Sequence, residues 1–145
     1  MDYENYKRMK LTDIATVERV KKGVIYKAGT IFIQVSATRG QIFILDYDSE
    51  VGTRYVSIIP KIDINPYYLK ISIEIELPEF LFKVQTELNI QCEAFNYLSV
   101  CVHDRETQDY IAQCFSFLDR EIESVEHGME RYKDIKKSFL ADMMV

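Results

Sequence analysis

The sequence predicts an α+β chain: a small mixed head followed by one long C-terminal coiled-coil helix. Three observations carry this. Residues 108–140 contain no proline, and their apolar residues follow a helical period. The first part of the chain alternates short β-branched and aromatic runs with turn residues, the pattern of strands and hairpins. Between the two, Asn65 followed by Pro66 has the chemistry of a helix start.

In chain order, "KLTDIATVERV" reads as a short helix with Thr12 as its cap and Leu11, Ile14 and Val17 on one face. "KAGTIFIQVS" turns at Gly29 and runs as a strand from Thr30 to Val35. "SATRGQ" is a hairpin connection and "QIFIL" the return strand. "DYDSEVGT" is a polar loop, and "RYVSIIP" a third strand closed by Pro60. "INPYYLKISIEIELP" is a helix from Asn65 to Pro78, although "KISIEIEL" also alternates as a strand does. A second short helix covers "PEFLFKVQT", and "LNIQCEAFNYLSVCV" is extended in two pieces. Asp104 then caps the long helix. The domain break falls at His103–Asp104, giving a head over residues 1–103 and an arm over 104–145. At 1.5 Å per residue the arm is about 60 Å long.

The arm's apolar residues are Ile111, Phe115, Leu118, Ile122, Val125, Met129 and Tyr132, in steps of 4, 3, 4, 3, 4 and 3. That is a heptad seam, which buries itself only against another helix. Ile135, Phe139 and Met143 continue it after one shortened step. The chain offers no second helix of this length, so the seam predicts a dimer interface between two copies.

Composition narrows the function. With 48% hydrophobic and 28% charged residues, a packed core is expected. No run approaches the roughly 20 apolar residues of a membrane span. "MDYENYKRMK" is polar and carries acids, unlike a signal peptide, so a cytoplasmic location is expected. Cys92, Cys101 and Cys114 lack the close pairing of a zinc site and read as ordinary packed thiols. The net charge of −5 argues against strong nonspecific DNA binding. The charge is uneven, however. Residues 1–61 hold ten Lys/Arg against seven Asp/Glu, whereas residues 104–145 hold six against ten. A nucleic-acid surface would therefore come from the first part. Its candidates are Lys21, Lys22 and Lys27 before the first strand, Arg39 at the hairpin tip and Arg54 opening the third strand. Lysines suit phosphates, and an arginine can read guanine.

Signals for catalysis are poor. Cys101 and His103 share a strand face but lack a third group to orient the base. Asp46, Asp48 and Glu50 could hold a cation, but such clusters after a strand are usually solvated turns. There is no Gly-rich phosphate loop. No catalytic residue, no metal ligand and no cofactor is expected, and the chain is not read as an enzyme.

The order of several segments resembles the specificity subunits of type I restriction–modification enzymes. The segments are "KLTDIA", "YKAGTIFIQVSATRGQIFIL", "INPYYLK", "NIQCEAFNYLSVCVHDRETQDYIAQCFSFLDREIE" and "MERYKDIKKSFLADMM". Gln108, Ile111, Leu118, Asp119 and Ile122 stand at matching places in the conserved helix. The resemblance implies a target-recognition-like head and a helix that forms an antiparallel coiled coil and docks a methyltransferase subunit. A full specificity subunit has two recognition domains and two such helices, each domain reading half of a split DNA site. This chain has one of each, little chain between "KLTDIA" and "KAGTI", and Val102 and His103 where the family has a proline-rich approach to the helix. It resembles a half-size form with a reduced head. The expected partners are a second copy, double-stranded DNA and a type I methyltransferase subunit. The alternative is an adaptor of the same descent that dimerises without reading DNA.

Charge along the arm favours antiparallel pairing. Asp104, Glu106, Asp109, Asp119, Glu121 and Glu123 lie early, and Arg131, Lys133, Lys136 and Lys137 lie late. The helix macrodipole favours the same distribution within one helix.

Overall fold

The structure, a computed structural model, describes residues 2–36, 40–84 and 90–144. Two compact units are present, residues 1–112 and 113–145.

The head is built on a four-stranded antiparallel sheet of β2 (Ala15–Arg19), β7 (Tyr55–Pro60), β4 (Ile31–Gln34) and β5 (Ile42–Ile44), in that spatial order. β1 (Lys7–Lys10) pairs with β8 (Ser99–Val102), and β3 (Ile25–Tyr26) with β6 (Ser49–Glu50). Alternation along β4 explains the layering. Ile31 and Ile33 point to the main core, while Phe32 points to a smaller aromatic cluster on the other face. There Phe32 stacks on Phe43 at 5.2 Å and meets Tyr26 edge-on at 5.3 Å. A strand covered on both faces is apolar at successive positions, and all four residues of β4 are buried.

α2 (Pro66–Lys83) closes the main core with Leu69, Ile73, Leu77 and Phe80. Their spacing of 4, 4 and 3 decides the ambiguous "KISIEIEL" for helix. The expected stop at Pro78 and the second short helix are both corrected: one helix runs through. The hydrogen bond that proline removes belongs to the Glu74 carbonyl. Glu74 and Pro78 lie on the exposed side, so this carbonyl is left to solvent rather than stranded in the core.

The N-terminal reading is corrected too. The helix is a single turn, α1 (Leu11–Ile14), after Lys10 rather than Thr12. "ATVER" is β2, paired with β7 from Ala15–Pro60 to Arg19–Val56. Its adjacent β-branched residues, Thr16 and Val17, suit a strand, and β7 supplies the partner that a helix would leave unpaired. The polar loop 46–53 contains the short strand β6, and "CEAFNY" is a 3₁₀ turn instead of an extended piece. The strands at Ile31–Gln34, Ile42–Ile44 and Tyr55–Pro60 fall where expected. In the β4–β5 connection, residues 37–39 lie outside the described residues. Gly40 closes it with φ of +93°, a conformation that favours glycine.

The long helix, α3, spans Arg105–Met143, 39 residues. It begins at the break in pattern, but its first turns, through Ala112, group with the head. Asp104 is the cap: its Oδ1 accepts from the Thr107 N–H at 2.7 Å, and this bond holds the carboxyl below its ordinary range.

Asn65 ties the starts of α2 and α3 together. Its Oδ1 accepts from the Tyr67 and Tyr68 N–H groups at 3.0 and 3.1 Å, and its Nδ2 donates to Asp109 Oδ1 at 2.8 Å. Its backbone N–H donates to Gln108 Oε1 at 3.0 Å, and Gln108 Nε2 donates to the His103 carbonyl at 2.7 Å. Asn65→Ala should lower stability in urea denaturation by about 1–2 kcal/mol, the worth of a lost helix cap. An unchanged midpoint would show that the cap does not support the head.

Candidate functional site

The candidate DNA-contacting residues separate into two places. β2 ends, β7 begins and β4 ends at one edge of the central sheet, because neighbouring strands are antiparallel. That edge carries Arg19 on β2, Lys21 and Lys22 just after it, and Arg54 just before β7. Hydrogen bonds fix the segments: Val20 N–H donates to Tyr55 O at 3.1 Å, Lys21 N–H to Tyr26 Oη at 3.1 Å, and Val35 N–H to Arg54 O at 3.0 Å. Arg19 Nε donates to Thr53 O at 3.3 Å. All four basic side chains are exposed. Arg19 was missing from the sequence-based set because it sat in an expected helix. Lys27 lies elsewhere. It belongs to the turn before β4, where Gly29 N–H meets Leu45 O at 2.9 Å beyond the far end of β5. Arg39 lies outside the described residues.

A second polar cluster surrounds His103, where Tyr68, buried among core side chains, meets it. The Tyr68 hydroxyl lies 2.5 Å from His103 Nδ1 and 2.9 Å from the Cys101 carbonyl oxygen, and it accepts from the His103 N–H at 3.2 Å. Burial pushes the Tyr68 phenol up. His103 Nε2 is 3.0 Å from the Tyr3 carbonyl oxygen, which can only accept, so Nε2 carries a proton. Both ring nitrogens are thus engaged with groups other than Cys101, whose Sγ lies 3.8 Å from Arg8 Nη1. The cluster pins the N-terminal segment and the approach to α3; it does not assemble a Cys–His pair. Asp48 accepts from the Ala28 N–H at 2.8 Å, a turn-stabilising role. Among the described residues, no three His, Cys, Asp or Glu side chains gather as a metal site. Cys92 and Cys101 are half-buried and Cys114 is exposed.

The arm presents its seam to solvent. Ile111 is half-buried against the head's core. Beyond it, Phe115, Leu118, Ile122, Val125, Met129 and Tyr132 are 42–76% exposed, and Ile135, Phe139 and Met143 are 51–78% exposed. These large apolar side chains form one exposed stripe, more than the single scattered apolar residues of an ordinary surface. Among the described residues, no helix is long and apolar enough to cross a membrane.

No protein-family model and no curated protein matches the sequence. Solved structures do match. The HsdS subunit from Thermoanaerobacter tengcongensis superposes with a TM-score of 0.67 at 9% identity, over 88% of this chain and 41% of that one. The type I restriction–modification system S subunit from M. genitalium gives 0.70 at 13% identity, over 93% and 44%. A chain from a structure of complex assembly and conformational transition in a type I restriction–modification system gives 0.70 at 10%, over 88% and 42%. This chain thus spans less than half the length of each. At these identities the likeness is one of fold: a target-recognition-like α+β head followed by a long helix, the architecture of type I specificity subunits.

Proposed function

We propose that this chain is a half-size, specificity-subunit-like DNA-binding protein of a type I restriction–modification system. It acts as a coiled-coil homodimer beside a methyltransferase subunit and carries out no chemistry itself. The observation that carries this reading is the solvent-exposed seam on a chain with the specificity-subunit fold and one recognition-like head. Two copies would restore the two heads and two helices of a full subunit. The basic sheet edge with Arg19, Lys21, Lys22 and Arg54 supplies the DNA-facing groups. Lys27, in the turn before β4, is a further candidate away from this edge, and Arg39 stays a candidate on its sequence alone.

Selection from random duplexes at about 0.1 M salt, where weak charge attraction is already screened, tests the DNA reading. A preferred sequence should be enriched. Lys21→Ala with Lys22→Ala should weaken binding similarly on all sequences and flatten its salt dependence, because lysine–phosphate contacts hold the protein without reading bases. If nothing is enriched and binding is weaker than roughly 0.1 mM, the edge of ordinary nonspecific affinity, the adaptor reading replaces it.

A further inference from the structure

We infer that two arms pair antiparallel in one register, with the two-fold axis beside His127 and Gly128 and Val125 of each copy facing Met129 of the other. This rests on the reading that the arm dimerises, and it adds the register.

The seam has no phase slip if Lys136 is counted as one of its members. Phe115, Leu118, Ile122, Val125, Met129, Tyr132, Lys136, Phe139 and Met143 then alternate steps of 3 and 4 throughout, and Ile135 flanks the stripe. Reversing one of two such helices sets each a position level with a d position. A single centre satisfies this from Phe115 to Phe139, with Met143 falling level with Ile111. Around position 127, Val125 faces Met129, Ile122 faces Tyr132, Leu118 faces Lys136 and Phe115 faces Phe139. Lys136, the one charged member, meets a leucine flanked by Asp119 and Glu121, so its stem can pack while its ammonium reaches an acid. Beside the seam, Asp119 of each copy falls next to Lys133 of the other. Glu126 meets its own copy near the axis, the one like-charge contact of this register.

The alternatives fare worse. Moving the centre half a heptad earlier strands Phe139 and Met143 and sets Asp119 beside Glu126. Moving it half a heptad later strands Phe115 and sets Glu121 beside Asp142. Parallel pairing sets Lys136 against Lys136 inside the seam and Glu121 beside Glu126.

Gly128 gives an independent indication. A glycine inside a helix is unfavourable, and a Cβ here would meet nothing within 4 Å in the single chain. Nothing in one copy calls for it. In the inferred register the two Gly128 residues face each other across the axis, where missing side chains let the backbones approach.

The test uses the full chain with Cys92, Cys101 and Cys114 changed to Ser, oxidised under mild conditions. Val125→Cys combined with Met129→Cys should give a covalent dimer, since only facing positions reach disulfide distance. Val125→Cys alone, Ile122→Cys with Val125→Cys, and Met129→Cys with Tyr132→Cys should not. Crosslinking of Val125→Cys alone means parallel pairing. Preferential crosslinking of either other pair means a shifted antiparallel register. Each of these results overturns the inference, as does a dimer in which no variant crosslinks. Sedimentation of the same proteins under reducing conditions separates the two levels: a monomer there removes the dimer reading itself.

Discussion

Leu118→Asp combined with Ile122→Asp should turn a dimer into a monomer whose head remains folded. Both residues lie more than half exposed in the single chain, beyond the segment that packs on the head, so the substitutions cost the isolated chain little. In the dimer, each buried large apolar side chain contributes about 1.5–3 kcal/mol, and the double variant removes four of them from the assembly. At about 1.4 kcal/mol for each tenfold change in affinity, dissociation should rise by roughly four powers of ten or more. Asp in their place also sets carboxylates against an apolar seam, which adds to the loss. Sedimentation and circular dichroism together read the outcome. A variant that stays dimeric at micromolar concentration would place the contact elsewhere. A variant that loses the head's strand signal would mean that the arm is needed for the head to fold.

Phe95→Ala should be the most damaging single truncation in the head. Phe95 is fully buried and its ring centroid lies 5.2 Å from that of Phe80, joining the 3₁₀ turn to α2. The next segment is also fixed from here: Leu98 N–H donates to Phe95 O at 3.2 Å, and Leu11 N–H to Leu98 O at 2.8 Å. Removing a buried phenyl ring costs about 3–5 kcal/mol, a large part of the roughly 5–15 kcal/mol that holds a typical domain. The midpoint of thermal unfolding should fall by roughly 12 °C or more. Tyr97→Ala, two residues on and 85% exposed, is the control and should shift stability by no more than about 0.5 kcal/mol. Equal effects of the two substitutions would contradict the packing described for this turn.

What could be read from the residues, and what could not, divides along physical lines. The cap at Asn65, the cap at Asp104, the β4–β5 pairing and the 39-residue helix all rest on local chemistry or short-range periodicity, and all stand where expected. Elements set by distant partners were missed. β1 is the polar run "KRMK", and it becomes a strand only because Lys7 pairs with Val102 and Lys10 with Ser99. β2 hides inside an apparent helical face until β7 is there to receive it. The passage of α2 through Pro78 depends on which side of the helix faces water, which the strand-like alternation of "KISIEIEL" obscures. The same limit applied to the candidate site. Lys21, Lys22 and Arg54 come together because β2 and β7 are antiparallel neighbours, and that pairing brings Arg19 in and leaves Lys27 out. The arm's helix and its apolar stripe, by contrast, were legible, because a heptad pattern is written in one continuous stretch; the stripe is exposed beyond Ile111, which packs partly on the head.

The central claim is that one chain supplies half of a two-headed assembly. The mass of the wild-type chain in sedimentation equilibrium, from low to high micromolar concentration, tests it most directly. The account predicts a particle of two 17.1 kDa chains, lost in the Leu118→Asp, Ile122→Asp variant. A wild-type chain that remains at 17.1 kDa across that range contradicts it.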